Sequence, residues 1–574
     1  MKMTSTRVVL SLFVCVSTIG VLPVAGQTAV AVESAGGCPM VVVRAYFDHM
    51  DMVSEVNRWA DPWEVNRAEG YLVVDVDHTG LSRLEDAGFK VVVDDDLTAT
   101  MCNPLPRLKG QKAGINGLPC YRTVDETFAD VERLASNYPD LTEWIDIGDS
   151  WELHSGWEPG YEGDNLMVLK LTNRNTAGVG TSAAPDSKPI LFVQAGLHSR
   201  ECPAPELLTR FAEGLLADYD TDADTTWLLD EHEIHLLLFA NPDGRRRAEH
   251  GNYWRKNANN NHCSATDDRG VDLNRNFEYQ WNCCGLSSTD GCEQTYHGTG
   301  GASEPETRAI QDYLRSIFPD QWTPRPPNNA TGIFIDLHSY SREIYWPWFH
   351  TLSAPPNQTS LATFGRKLAY FNAYEPFEIA SLDGSAVDFA YGDLGVASFL
   401  IELGTAFFQD CDRFETRILP DNLKALRYAA KVSRTPYKTP AGPDMTSLEL
   451  PEGPRVYVGQ SLRIEALAND SGYQNLNGNE PIQDVVAVRV FVDRPPWHPE
   501  PGRSWKMLPT DGAYDSYRET VTWDLDTSGL EEGRHTLFVR AKDADGIWGP
   551  VTAEFFWITE SDGGVRQPGG RVAP

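Results

Sequence analysis

A few short stretches bring together the residue types that hold a metal ion and activate water. In GLHSREC, His198 and Glu201 stand three apart directly after the apolar run ILFVQAG. Such a pair is either part of a metal site or a polar pair where a strand gives way to a helix. A catalytic zinc takes three protein ligands from His, Glu, Asp or Cys and keeps one position for water. GIFIDLHSYS offers a third donor, His338, at the end of another apolar run, where a histidine standing alone reads as a strand cap. Glu402 lies inside ASFLIELG, and a carboxylate is costly there unless it faces a cavity or a partner. Burial raises a carboxyl pKa and metal-bound water offers a proton to take, so Glu402 is the predicted general base.

Positive charge comes from NYWRKN, with Arg255, and from DLNRNF, with Asn274 and Arg275. A lone WRKN is usually a solvated turn. The planar fork of arginine matches a carboxylate with two parallel hydrogen bonds, and an adjacent amide adds orientation. Asn274 and Arg275 therefore read as a receptor for a terminal carboxylate.

The elements that must position these residues are legible as runs. PILFVQAG, EIHLLLFAN, GIFIDL and ASFLIELG are apolar almost throughout and alternate with longer helical segments between Tyr121 and about Ser433. That alternation predicts an α/β fold: a mixed, mainly parallel central sheet with helices on both faces. Ligands in such sheets gather beyond the carboxyl ends of strands, where His198 and His338 fall. Before it, residues 38–106 carry three strand-like runs, MVVVRAYF, GYLVVDVD and FKVVVDDD, and two helix-like stretches, which predicts a small α+β unit. The stretch 107–119, rich in Pro, Gly and basic residues, reads as an exposed, cleavable linker. After a Pro-rich bridge at 434–449, residues 450–558 read as short strands of an immunoglobulin- or fibronectin-like β-sandwich, and 559–574 as a disordered tail.

Taken in order, HSRE, YWRKN, DLNRNF, CEQTYHG, SEPET, DLHSYS and FLIEL resemble the zinc carboxypeptidases of the carboxypeptidase A family over about residues 120–433. The pair Cys283-Cys284 and the run DGSAVDFAYG look most like the secreted bacterial carboxypeptidase T branch. The resemblance implies one zinc ion held by His198, Glu201 and His338, with Glu402 as the base that later protonates the leaving amine. It implies that Arg255 polarises the scissile carbonyl, that Asn274 and Arg275 grip the C-terminal carboxylate, and that Arg200 and Tyr340 line the path of the preceding residues. By the same likeness Val387 stands at the floor of the specificity pocket, and Asp383 matches an acidic position that would receive Lys or Arg. The family's substrate-covering tyrosine falls at Ala380, unless a gap lets Tyr374 serve. Residues 38–106 resemble in layout the pro-segments that cover this site. Cys292 matches a family disulfide position with Cys263 as its partner. Cys202 is paired provisionally with Cys411, and Cys283 and Cys284 are left with separate partners or as free thiols.

Length and composition agree with this assignment. The 574 residues exceed one hydrophobic core. The start, MKMTSTRVVLSLFVCVSTIGVLPVAG, reads as a signal peptide over residues 1–26, and ten cysteines suit an oxidising compartment. No later run approaches the ~20 apolar residues of a membrane span. A net charge of −33 argues against nucleic acid, whose binders cluster Lys and Arg. The expected function is a secreted zinc carboxypeptidase, broad or apolar-preferring, acting on peptides or proteins with a free C-terminal carboxylate. The alternatives are a cell-wall peptide hydrolase of the same fold and a catalytically silent peptide-binding protein.

Overall fold

A computed structural model describes residues 38–156, 162–181, 184, 187–265, 268–379, 381–500 and 502–560. The expected signal peptide and all but the first two residues of the expected tail lie outside them.

The centre of the molecule is an eight-stranded sheet. Its order is Glu375–Phe377, Glu343–Tyr345, Ala397–Glu402, Ile333–His338, Ile190–Ala195, Glu233–Leu237, Asn165–Leu171 and Thr142–Asp149. The four strands in the middle of this order, the four expected from the apolar runs, are mutually parallel. Their residues are buried nearly end to end because helices cover both faces, which is why they lack polar alternation. Antiparallel neighbours flank the four on either side, so the sheet is mixed. Helix Pro203–Asp218 starts with a proline in its first turn and buries Leu207, Leu208, Phe211 and Leu215 against the sheet. Helix Val124–Asn137 opens on a capping box, in which Thr123 and Glu126 satisfy each other's backbone N–H.

Residues 40–102 fold as a four-stranded antiparallel sheet in the order Glu64–Asn66, Tyr71–Val76, Val41–Tyr46, Lys90–Val93. Helices Met50–Val56 and His78–Asp86 accompany it, and Asp95–Cys102 adds a third helix beyond the expected pattern. At the other end, strands in two sheets of four and five enclose an apolar core of Leu462, Ile464, Val490, Val539 and Phe556. Strand Asp444–Glu449, inside the Pro-rich bridge, already belongs to the four-stranded sheet. No helix among the described residues is long and apolar enough to cross a membrane.

Candidate active site

Parallel pairing places His338 and Glu402 side by side, since each ends its strand and the two are in register. The neighbouring strand Ile190–Ala195 ends at a turn in which Gly196 has a φ of +68°, a conformation that disfavours a side chain. That turn delivers His198, and Glu201 follows just before helix Pro203–Asp218. Three strand ends thus converge at the carboxyl edge of the sheet.

His198 Nδ1 lies 2.8 Å from Glu201 Oε1 and 3.0 Å from His338 Nδ1, while His338 Nδ1 lies 3.1 Å from Glu201 Oε2. Two imidazole nitrogens and a carboxylate therefore point at one another, each within 4.8 Å of the others. Two facing ring nitrogens satisfy each other poorly, and the set matches the His2Glu donors of a catalytic zinc site. The outer ring nitrogens lie near carboxylates: His198 Nε2 is hydrogen-bonded to Asp272 Oδ1 at 3.1 Å, and His338 Nε2 is 2.9 Å from Asp336 Oδ2 without hydrogen-bond geometry. Carboxylates behind ligating histidines fix their orientation and strengthen their basicity. Burial alone would raise the Glu201 carboxyl, but His198 and His338 hold it below the usual carboxylate range, in the form a metal needs. The residues present fit a zinc ion.

Asp272 is the hub of the site. Fully buried, it also accepts from Arg255 Nη2 at 2.8 Å and from the Asn274 backbone N–H at 2.9 Å. Burial would raise its pKa, but Arg255, Arg275 and His198 bring it well below the ordinary range. Asn274 and Arg275 sit on the single helical turn Leu273–Arg275 that Asp272 caps. Among the described residues, the buried Nε of Arg275 has no hydrogen-bond partner, and neither does Oε2 of Glu402. Both residues line one cavity of about 360 Å³ with His198, Glu201, His338, Arg255, Asn274 and Tyr340. Burial pushes the Glu402 carboxyl well above the ordinary carboxylate range.

Other expected site residues stand elsewhere. Val387 is fully buried in an apolar cluster with Leu382, Leu400, Tyr345 and Phe349, of which Leu382, Leu400 and Tyr345 line the cavity and Val387 does not. Asp383 is also fully buried, and its carboxylate accepts from Cys284 N–H, Leu286 N–H and Ser287 Oγ. It closes a loop and does not face the cavity, because three local donors already saturate it. Tyr374 is committed to the interior, its hydroxyl accepting from Gly404 N–H and Asn422 Nδ2, and so cannot swing over a substrate. Ala380 lies outside the described residues. Cys411 pairs with Cys120 and leaves Cys202 free and buried; Cys263 pairs with Cys292, and Cys283 with Cys284.

One residue at the site has no signal in the sequence. Asp61, just before strand Glu64–Asn66, accepts from Arg200 Nη2 and Arg255 Nη1, each at 2.7 Å, through the same oxygen. Asp272 and Asp336 were there to be noticed in DLNRNF and DLHSYS, since each stands beside residues singled out for chemistry.

Three converging His/Glu donors, a buried carboxyl and an arginine with an unpartnered nitrogen share one cavity at the carboxyl edge of an α/β sheet, an arrangement that suits a metal-dependent hydrolase. The family model described as zinc carboxypeptidase (peptidase M14) matches residues 128–414, half of the chain, and the chain belongs to that family of peptide hydrolases. It is 29% identical to human mast cell carboxypeptidase A over 332 residues, 54% of this chain and 70% of that protein. It is 30% identical to zinc carboxypeptidase A 1 of Anopheles gambiae over 319 residues, 53% of this chain and 63% of that protein. The fold is similar to that of the Helicoverpa armigera carboxypeptidase A structure, with a TM-score of 0.52 at 22% identity, covering 70% of this chain and 97% of that one.

Proposed function

We propose that this protein is a secreted zinc carboxypeptidase that removes the last residue of peptides and proteins, and that residues 38–106 hold it latent. The observation that carries this reading is one cavity shared by three converging metal donors, Glu402 with an unpartnered oxygen, and Arg275 with an unpartnered Nε. Zinc bound by His198, Glu201 and His338 supplies Lewis acidity toward the scissile carbonyl and toward water. Arg275 and Asn274 receive the terminal carboxylate, which fixes the last peptide bond beside Glu402. Arg255, held on one edge by Asp272, presents its remaining edge to the carbonyl oxygen as negative charge develops there. Glu402 takes a proton from the attacking water and gives it to the departing amine.

Leu382, Leu400 and Tyr345 on the cavity wall favour an apolar side chain in the residue released. Latency is supported by Asp61, whose carboxylate spans the two arginines that a peptide substrate needs. The exposed run 103–110, with Arg107 and Lys109, and exposed Lys112 give proteases access, whereas Ile115 and Leu118 already belong to the main core. Cleavage between 103 and 113 would therefore separate the unit without opening that core. Secretion is supported by the apolar leader and by the disulfides. The run DGSAVDFAYG and the adjacent Cys283 and Cys284 support a place near the secreted bacterial carboxypeptidase T branch.

The test is Glu402→Gln in the trimmed protein. Turnover of a C-terminal dipeptide mimic should fall by about 10^3-fold or more while zinc content per chain stays unchanged. Near-normal turnover in this variant would overturn the assignment of the base, and activity that survives a chelator would overturn the zinc reading.

A further inference from the structure

The charge that Asp383 cannot offer to the cavity is present on another residue. Strand Glu343–Tyr345 runs antiparallel to Ala397–Glu402, with Glu343 opposite Glu402 and Tyr345 opposite Leu400. Residues two apart on a strand share a face, so Glu343 and Tyr345 look the same way as Glu402 and Leu400. All four line the cavity. The Glu343 side chain is only 14% exposed. Its Oε2 accepts from Ser341 Oγ at 2.7 Å and from the Tyr345 hydroxyl, which leaves Oε1 for a partner from outside the strand.

In the uncut chain that partner is an arginine. Arg67 of the N-terminal unit donates from Nη1 to Glu343 Oε1 at 2.9 Å, with its guanidinium 4.2 Å above the ring of Phe377. Phe377 lies on the adjacent strand, paired with Tyr345. A carboxylate beside an aromatic face is a complete receptor for a guanidinium or ammonium group. Loss of residues 38–106 removes Arg67 and leaves Glu343 Oε1 without its cation and open to another.

We infer that Glu343 is a specificity-determining residue that receives the basic side chain of a C-terminal Lys or Arg, and that Arg67 occupies its place in the uncut chain. The alkyl stem of the substrate lies along Leu382, Leu400 and Tyr345, and the cationic head reaches Glu343 over Phe377. The same wall accepts an apolar residue without using Glu343, so the trimmed enzyme takes both apolar and basic ends. This inference rests on the carboxypeptidase reading above.

The experiment compares trimmed wild type with trimmed Glu343→Gln on matched peptides ending in Arg, Lys or Leu, scored as the ratio of kcat/KM for basic and leucine ends. A charge-assisted hydrogen bond of ~1.5–3 kcal/mol corresponds to a ratio falling about 10- to 100-fold in the variant. An unchanged ratio overturns the inference. A second measurement needs no variant: free L-arginine should inhibit the trimmed wild type at least 10-fold more strongly than L-citrulline, its neutral isostere, and equal inhibition overturns the inference. Retained hydrolysis of leucine-ended peptides with either negative result leaves the carboxypeptidase reading standing. A trimmed wild type that hydrolyses none of the peptides overturns both.

Discussion

The two accessory units meet the catalytic body in opposite ways. The β-sandwich merges with its main core: Phe491, Phe538, Val551, Ala553 and Phe555 belong to the same buried cluster as Leu191, Phe211 and Trp227. Trp227 packs against Trp497 and Phe538, and the Ala553 N–H donates to Asp224 at 2.8 Å. The N-terminal unit keeps its own core, and its apolar contact with the catalytic body is a small separate cluster in which Trp63 stacks on Tyr253 and meets Phe407 edge-on. Its remaining contacts are mostly charged: Asp61 with Arg200 and Arg255, Arg67 with Glu343, Arg83 with Glu293. A shared core cannot be parted without exposing apolar surface to water, whereas ion pairs can be exchanged for water or for substrate.

The largest effect should come from breaking the permanent junction. Trp227→Ala removes a ring that is 3% exposed and should cost about 3–5 kcal/mol in chemical denaturation, with kcat/KM of the trimmed protein little changed. A loss below ~1 kcal/mol would mean that the sandwich is as detachable as the other unit. Next comes the separable junction itself. Proteolysis within residues 103–113 should release the N-terminal unit and raise peptide hydrolysis by about 100-fold or more, because Asp61 and Arg67 then vacate the cavity. Equal rates before and after cleavage would show that the charged contacts do not obstruct substrate.

The sequence disclosed these regions unevenly, and the reason is distance along the chain. His338 and Glu402 are legible because each closes a recognisable apolar strand, and His198 and Glu201 because they follow one directly, and parallel pairing then brings the strand ends together. The sandwich strands are legible from alternation, as in SLRIEALAN, which is buried at every second residue. Asp61 is invisible because its partners lie 139 and 194 residues away, and nothing local distinguishes it from other surface acids. Val387 and Asp383, by contrast, are buried and do not line the cavity. Register with a family pattern fixes backbone position, but it does not say that Val387 would be buried in the apolar cluster of Phe349 and Leu382 or that three local donors would claim Asp383.

A third variant separates obstruction from mere proximity. Asp61→Ala in the uncut chain removes the anion between Arg200 and Arg255 and leaves the unit attached through Trp63 and Arg67. Removing one partner of a mostly buried pair weakens the contact by ~3 kcal/mol, so basal hydrolysis before cleavage should rise about 10- to 100-fold. The trimmed form of the same variant should match trimmed wild type, since it no longer contains residue 61. An uncut variant as silent as the uncut wild type would assign the obstruction to the bulk of the unit and not to its charge.

The smallest effect belongs to the rim. Arg83 and Glu293 form an ion pair at 2.8 Å whose side chains are 45% and 29% exposed, and the Arg83 guanidinium also lies 4.4 Å over the ring of Trp59. Exposed pairs contribute ~0–1 kcal/mol because water and salt screen them and two long side chains must be held still. Arg83→Ala should therefore change basal hydrolysis of the uncut chain by less than about 5-fold, and the change should fade as salt rises from 0.05 to ~0.5 M. Asp61→Ala should respond less to salt, since its arginine partners are only 0% and 3% exposed. If both variants respond equally to salt, the distinction between a buried anchoring charge and a dispensable rim charge fails, and the two contacts contribute to one diffuse electrostatic attraction.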